Sequence, residues 1–259
     1  MQQIRFTRVL LSCALLLTLI GCAHNDVIYQ TSSIDALLQG EYGPLISVGQ
    51  LKKQGDTGIG TFEHLDGEML MLDGIVYQAR SDGSIHPQPD TTMSPFATVK
   101  FFHADQTLQL LDPMTFKQLT AMLDKKLPTE NWFYTFIAKG TFKFVKTRSV
   151  PKQSPPYPPL IEVVKSQPTW TFENVTGTLV GFRCPAFTKG LNVPGYHLHF
   201  LRDDHAGGGH VLDFELTDVT LQIDTSRQWQ VELPDTPDFR RMNLAKDRSK
   251  ELHKVEKDQ

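Results

Sequence analysis

The chain has 259 residues, 40% of them hydrophobic and 21% charged, and its formal net charge is −3. This much apolar sequence supports a hydrophobic core in one large domain or two closely packed ones, which excludes an intrinsically disordered chain. A nucleic-acid-binding protein needs a basic surface, which a chain of net negative charge does not offer, so we expect no nucleic-acid partner.

A targeting segment is predicted at residues 1–22. Arg5 and Arg8 precede an apolar run at 9–20 that is too short to span a bilayer comfortably. The segment ends in L-I-G-C, which resembles a bacterial lipobox, in which the cysteine, here Cys22, is lipidated and becomes the mature N-terminus. We therefore expect an exported lipoprotein, anchored in a membrane and facing the periplasm or the cell exterior. An ordinary cleaved signal peptide is the alternative.

The three cysteines predict no disulfide in the mature protein. Cys13 lies inside the targeting segment and Cys22 would carry lipid, which leaves Cys184 alone. An intramolecular disulfide is then impossible, although export would permit one. Cys184 is predicted to be a small, buried, apolar side chain.

The first half of the mature chain predicts short helices followed by an antiparallel meander. Ser33 is a typical N-cap for a helix at 34–39, and a second short helix is expected at 47–54; each ends at a glycine. Asp-Gly pairs, which are typical of hairpin turns, separate the apolar runs that follow. The predicted strands are 58–62, 68–72, 75–80 and 97–102.

The longest helix is expected to begin at Asp112-Pro113, with Pro113 in its first position, and to end before Pro128. Two strands are predicted after it, at 132–137 and 141–145, on either side of Gly140.

Two charged residues of this half are predicted to lie at the surface. Glu68 starts an otherwise apolar strand directly after a tight turn, where a glutamate is usually solvated. Arg148 ends the segment 143–148, whose period-two alternation predicts a half-exposed strand. Most arginines in such strands face solvent.

A proline-rich stretch at 150–159 predicts a subdomain boundary. We place an α+β subdomain at 23–150 and a β-rich, metal-binding subdomain with an acidic tail at 151–259. The second subdomain is expected to contain a helix at 160–166, two strands within 169–187 around a turn at 174–177, closing strands at 218–223 and 228–233, and a tail helix at 248–257. The predicted fold is a β-rich α+β fold, in which a mixed or antiparallel N-terminal sheet packs on a β-barrel-like C-terminal half that carries the metal site.

Four of the nine histidines fall in the segment 195–214, which reads G-Y-H-L-H-F-L-R-D-D-H-A-G-G-G-H-V-L-D-F. His197 and His199 are two residues apart, so both imidazoles leave the same face of a strand. Three consecutive glycines let the chain reverse, so that His210 returns opposite this pair. Three imidazoles from two neighbouring strands suit a divalent transition metal, zinc first. His205, in the turn, could replace His210 as the third ligand.

The histidine pattern favours a catalytic metal over a structural one. A structural zinc site closes its four positions with protein ligands, commonly including cysteine, whereas three histidines leave a position open. Such an ion can generate a hydroxide nucleophile or act as a Lewis acid on a carbonyl, and the spacing does not decide between these roles.

This histidine segment, together with G-I-G-T-F-E-H-L-D-G-E at 58–68, F-V-K-T-R at 144–148 and a short acidic C-terminal tail, resembles the α-acetolactate decarboxylase family. The resemblance covers essentially the whole mature chain. It implies a zinc-dependent carboxy-lyase, a homodimer in this family, that converts 2-acetolactate to acetoin and CO2. It also implies that the substrate oxygens chelate zinc and that an enediolate is stabilised and then protonated to acetoin of one hand.

The resemblance also assigns residues to the site. His197, His199 and His210 match the zinc-binding histidines of the family, which favours His210 over His205. Thr61 matches a residue near the substrate.

Three charged residues match active-site positions of the family. Glu68 matches an active-site glutamate, Arg148 an arginine beside the metal, and Glu256 a tail glutamate that folds back into the site. Glu251 is a nearby alternative to Glu256. The resemblance implies that Arg148 holds the substrate anion and that Glu68 or Glu256 donates a proton, of which we favour Glu68.

Two other interpretations compete with this one. A cupin-like metalloenzyme also carries His-x-His on a strand, but its pattern has a glutamate after the second histidine, where this chain has Asp203 and Asp204. A lipid-anchored, metal-binding envelope protein without enzymatic activity would account for the histidines but not for Glu68 and Arg148.

Overall fold

The computed structural model describes residues 26–256, so the predicted targeting segment and Cys22 lie outside the described residues. The strands are β1 (Val27–Thr31), β2 (Ile46–Ser47), β3 (Thr57–Thr61), β4 (Glu68–Leu72), β5 (Ile75–Ala79), β6 (Ile85–Pro87), β7 (Met93–Ser94), β8 (Ala97–Lys100), β9 (Gln106–Leu110), β10 (Met114–Thr115), β11 (Phe133–Arg148), β12 (Thr169–Cys184), β13 (Gly195–Arg202), β14 (Gly208–Ser226) and β15 (Gln228–Glu232). The α-helices are α1 (Ile34–Leu38), α2 (Val48–Leu51), α3 (Phe116–Lys126), α4 (Leu160–Val163), α5 (Pro237–Arg241) and α6 (Ser249–Glu256). Short 3₁₀ turns lie at Glu63–Leu65, Val164–Ser166 and Ala186–Thr188.

Seven strands form the first sheet, in the order β15-β1-β8-β3-β4-β5-β6. Strand β1 runs parallel to β15, and the other neighbours are antiparallel, so the sheet is mixed. The Asp-Gly turns predicted between β3, β4, β5 and β6 are present, with glycines at positive φ. In the β3–β4 hairpin, Thr61 is paired with Glu68, which places both at the same end of the sheet.

The second sheet is built from longer strands, in the order β10-β14-β11-β12-β13, with β9 also paired to β14. Strand β13 pairs with β12 along its whole length and again with β14 at His199 and His210. This sheet takes β9–β11 from before the proline-rich stretch and β12–β14 from after it, and the first sheet takes β15 from the C-terminal region. The two sheets therefore interleave along the sequence and do not divide at residue 150.

The expected breaks within β11 and β12 are wrong, because each is one strand of 16 residues. Gly140 and Gly177 face each other across the two strands and are required for close packing, not for turns. A Cβ atom on Gly140 would lie 2.1 Å from the Asp218 carbonyl oxygen, and one on Gly177 would lie 2.4 Å from the Phe200 ring. A glycine in a strand can thus mark a close approach of a neighbour.

The helix caps explain where the helices begin. Ser33 caps α1 as predicted, and Ser47 caps α2 with Gln50 as its reciprocal partner. The predicted start of α3 at Pro113 is wrong: the helix begins at Phe116, because Thr115 and Gln118 form a capping box. None of the helices within residues 26–256 is long and apolar enough to cross a membrane.

The two sheets pack face to face through an apolar cluster. It joins Ile28, Ile59 and Leu70 of the first sheet to residues of the second, which are Phe133, Val180, Phe182, Cys184 and Leu201. Cys184 is a buried free thiol, as predicted, and burial raises its pKa to about 12. A separate cluster joins α1, α4 and α6 beside one end of the first sheet.

A buried lysine ties the other end of the two sheets together. The ammonium group of Lys100, on β8, lies 2.6 Å from the carboxylate of Asp224 and donates a hydrogen bond of 2.7 Å to the hydroxyl of Ser226, both on β14. It also lies 3.0 Å from the carboxylate of Asp26. The Lys100 and Asp224 side chains are only 1% and 3% exposed, so each needs the other to offset the loss of water.

Replacing Lys100→Met should destabilise the fold by about 3 kcal/mol, because it leaves the buried Asp224 carboxylate without a cation. Urea unfolding at neutral pH measures this free energy. The matched control is Lys53→Met at an exposed position, which should change the unfolding free energy by less than about 0.5 kcal/mol. Equal effects of the two substitutions would contradict the proposed contribution of the ion pair.

Candidate metal centre

Three histidines converge from two neighbouring strands. His197 and His199 alternate along β13, and His199 is directly paired with His210 on β14. One ligand nitrogen from each residue can be chosen so that all three lie within 4.8 Å of one another. His205 does not join them: it lies exposed in the turn, and its ring packs 4.9 Å from that of Tyr77.

The reversal before His210 differs from the predicted one. The turn falls at residues 203–207, and Gly208 and Gly209 already belong to β14. Gly209 has φ +128°, and a Cβ atom there would lie 2.4 Å from the Arg148 carbonyl oxygen. This glycine therefore allows β14 to approach β11 closely, and it places His210 beside Arg148 in the strand register.

The orientation of His199 is set by a backbone group. Its Nδ1 atom lies 2.7 Å from the carbonyl oxygen of Met69 on β4, and since a carbonyl only accepts, Nδ1 carries the proton. Its Nε2 atom is buried and has no hydrogen-bond partner. A histidine that donates one ring nitrogen to a carbonyl and keeps the other bare is typical of a metal ligand.

The electrostatic environment keeps all three imidazoles neutral. Burial lowers the pKa of His197 to about 3, with the Arg148 charge acting in the same direction. Burial also holds the pKa values of His199 and His210 well below the usual range. A neutral imidazole has a free lone pair, so these three residues fit a divalent transition metal.

Arg148 and Glu68 lie beside the histidines as a buried ion pair. An Nη1 hydrogen of Arg148 is donated to Oε1 of Glu68 at 2.8 Å, and Oε2 of Glu68 lies 3.7 Å from Nε2 of His199. The surface positions predicted for both residues are wrong, since Glu68 is 6% and Arg148 3% exposed. The second sheet covers the start of β4, and this burial comes from tertiary packing that a strand pattern does not contain.

The Glu68 carboxyl group holds its proton more tightly than an ordinary glutamate. Burial raises its pKa to about 7, and the neighbouring Glu256 adds to the rise. The Arg148 charge and a hydrogen bond from the Val150 N–H act in the opposite direction but are outweighed. Near neutral pH this carboxyl can therefore either hold or release a proton.

The C-terminal helix brings Glu256 into the same site. Leu252 and Val255 of α6 are buried in the cluster with α1 and α4, which directs the end of the helix at the histidines. The Oε2 atom of Glu256 lies 3.5 Å from Nε2 of His210, and its Oε1 atom lies 3.9 Å from Nη2 of Arg148.

Glu251 lies away from the histidines, where it pairs with Arg248 at 2.9 Å. Of the two tail glutamates considered, the structure thus brings Glu256 into the site.

Thr61 lines the cavity but its hydroxyl is already engaged. It donates a 2.7 Å hydrogen bond to the Gly67 carbonyl and so braces the turn that precedes Glu68.

The sequence did not reveal the apolar residues that line the cavity, or the backbone groups that orient its polar side chains. Apolar wall residues carry no signal that separates them from core residues, and a backbone carbonyl such as that of Met69 leaves no trace in sequence. The wall consists of Ile34, Leu37, Leu65, Phe96, Val150 and Leu160.

Sequence comparisons identify the relatives of the chain. Residues 28–246 match the family model described as alpha-acetolactate decarboxylase. The alpha-acetolactate decarboxylase of Methanosarcina mazei is 48% identical over 233 residues, which are 90% of this chain and 81% of that protein. The enzyme of the same name from Bacillus subtilis is 42% identical, over 84% of this chain and 85% of that protein.

Solved structures agree with the sequence match. The crystal structure of alpha-acetolactate decarboxylase from Bacillus subtilis strain 168 superposes with a TM-score of 0.87 at 40% identity, covering 89% of this chain and 99% of that one. A Staphylococcus aureus protein of unknown function, described as similar to alpha-acetolactate decarboxylase, gives a TM-score of 0.85 at 30% identity, with 89% of this chain and all of that chain covered. The chain therefore belongs to the alpha-acetolactate decarboxylase family of carboxy-lyases.

Proposed function

We propose that this protein decarboxylates 2-acetolactate to acetoin and CO2 with a zinc ion held by His197, His199 and His210. The observation that carries the proposal is the meeting of three neutral imidazoles with a buried arginine–glutamate pair in one cavity. A metal store would need only the imidazoles. The substrate, 2-acetolactate, is inferred from membership of the family.

A zinc ion held by His197, His199 and His210 would supply Lewis acidity, which would polarise a substrate carbonyl and stabilise the negative charge that develops as CO2 leaves. Zinc is favoured because three imidazole nitrogens leave a position open for substrate oxygen.

We propose that Arg148 holds the substrate anion. Its guanidinium is buried among His210, Glu68 and Glu256, and its Nε atom has no hydrogen-bond partner. A carboxylate or hydroxyl oxygen of the substrate that accepts from this nitrogen gains a charge-assisted hydrogen bond in a water-poor site. We propose that this contact orients the carbon–carbon bond that breaks.

Glu68 is our proposed proton donor. When the bond between the carboxylate and its neighbouring carbon breaks, CO2 leaves and the electron pair is delocalised into the adjacent carbonyl. One proton must then be added to carbon to give acetoin. Burial raises the pKa of Glu68 to about 7, so near neutral pH it can both hold and release a proton, and its fixed position would deliver that proton to one face.

Glu256 carries a second carboxylate to the metal side of the site, where it helps to raise the Glu68 pKa. We propose that it assists proton delivery. The apolar wall would receive the methyl groups of the substrate and exclude water.

The family's homodimer and the lipid anchor at Cys22 complete the proposal. Both concern where the enzyme works and in what assembly, and neither alters the chemistry above.

The function itself is tested with purified protein that has been loaded with zinc and incubated with 2-acetolactate. We expect acetoin and CO2 in equal amounts, at a rate well above spontaneous decarboxylation and abolished by a chelator. Acetoin formation no faster than in buffer would contradict the proposed activity.

The metal site is tested by His197→Ala, which should abolish both stoichiometric zinc binding and acetoin formation, because two imidazoles hold zinc too weakly. Zinc content by elemental analysis and binding by calorimetry measure the first effect. The matched control is His205→Ala, in the exposed turn, which should bind zinc like the unmodified protein. Equal zinc loss in both variants would exclude the proposed ligand set.

The proton donor is tested by Glu68→Gln, which keeps the shape of the side chain but removes its acid. Turnover should fall by about 10²-fold or more while zinc content is retained, because a positioned proton donor typically contributes this much. The matched control is Glu251→Gln on α6, which should keep near-normal turnover. Near-normal turnover in Glu68→Gln would rule out Glu68 as the donor.

A further inference from the structure

The predicted lipid anchor lies very close in sequence to a fixed point of the fold. Three residues, 23–25, separate Cys22 from Asp26. Asp26 is held in place by Lys100 at 3.0 Å and by the hydroxyl of Ser226, which donates to it at 3.1 Å. Four residue steps span at most about 14 Å. A lipid on Cys22 would therefore keep this end of the sheets near the bilayer.

The strand registers show which end of the protein this is. Strand β1 begins next to Asp26, and its antiparallel neighbour β8 ends there at Lys100, which is paired with Thr57 at the start of β3. The opposite end of β3 is Thr61, paired with Glu68 of the metal centre. Four residues of strand, about 13 Å, thus separate the Asp26 end from the level of the metal centre.

The helices that line the cavity lie at the end of the first sheet away from Asp26. Helix α1 follows directly after the far end of β1 and packs with α4 and α6. Residues of these three helices, including Ile34, Leu160 and Glu256, line the cavity. The helices that cover the site therefore lie at the end of the first sheet opposite Asp26.

The surface around the anchor point has no charge bias of its own. We define the base surface as the exposed residues next to Lys100 and Asp56 at this end. Phe102 and His103 are held there by hydrogen bonds from their backbone N–H groups to Asp56 and Asp224. The base surface carries one lysine and two aspartates, so anionic lipid alone would not attract it. Its members are Lys53, Gln54, Asp73, His103, Ala104 and Asp105.

We propose that a lipid on Cys22 holds the base surface against a bilayer, so that the metal centre and the helices covering it lie at the end of the sheets away from the membrane. The partner is a lipid bilayer, and the affinity comes from the acyl chains inserted into it. The proposal rests on lipidation and geometry and is independent of the reaction proposed above.

The test uses the full-length protein, expressed with its targeting segment, extracted from membranes and reconstituted into vesicles of phosphatidylethanolamine and phosphatidylglycerol. A fluorophore is attached to Ala104→Cys on the base surface or to Lys250→Cys on the exposed side of α6. The remaining thiol, Cys184, is buried and does not compete for the label. Vesicles containing a nitroxide-headgroup lipid then report how close each fluorophore lies to the bilayer.

Fluorescence at position 104 should be quenched several-fold more strongly than at position 250, and the same labelled proteins without residues 1–22 should not bind the vesicles. Equal quenching at the two positions, or stronger quenching at 250, would overturn the orientation. Vesicle binding that survives removal of residues 1–22 would overturn the anchor. Acetoin formation by each labelled protein is measured in parallel, so a failure of the proposed reaction is distinguished from a failure of the orientation.

Discussion

The ion pair between Arg148 and Glu68 is the interaction on which the site depends, because each partner comes from a different sheet. Glu68 begins β4 of the first sheet, and Arg148 ends β11 of the second. Both are nearly fully buried and meet at 2.8 Å. Either charge alone would be costly to remove from water, so neither sheet could carry its residue without the other. The packing of the two sheets and the presence of charged groups in the cavity therefore depend on the same ion pair.

Burial shifts the pKa values of the site residues in two opposite directions. Loss of water disfavours whichever form of a group is charged, so it lowers the pKa values of the histidines and raises that of Glu68. The histidines are therefore neutral and able to bind a metal, while the Glu68 carboxyl can either hold or release a proton near neutral pH. Among the described residues that line the cavity, Arg148 is the one arginine or lysine. Burial is therefore the common cause of the neutral histidines and of the raised pKa of Glu68.

The parts of the site that could be predicted from sequence are those with a local signature. His197 and His199 share a face because strands alternate, and the caps at Ser33 and Ser47 follow from their hydroxyls. Glu68 and Arg148 have no such signature, since their burial depends on a second sheet that closes over them, and only the family resemblance pointed to them. The breaks predicted at the glycines of β11 and β12 are wrong for the same reason, because these glycines make room for neighbouring residues that are distant in sequence.

The assembly of the site from distant segments links metal binding to folding. Arg148 contacts Glu68, 80 residues before it, and the backbone of Val255, 107 residues after it. The imidazoles are brought together only when β13 and β14 pair, and Met69 reaches His199 only when the sheets pack. The three imidazoles lie in one hairpin of β13 and β14, but the Met69 carbonyl and the Arg148–Glu68 pair reach them only in the packed fold. Because an unfolded chain lacks the preformed ligand set, the free energy of binding an ion here adds to the stability of the whole two-sheet fold.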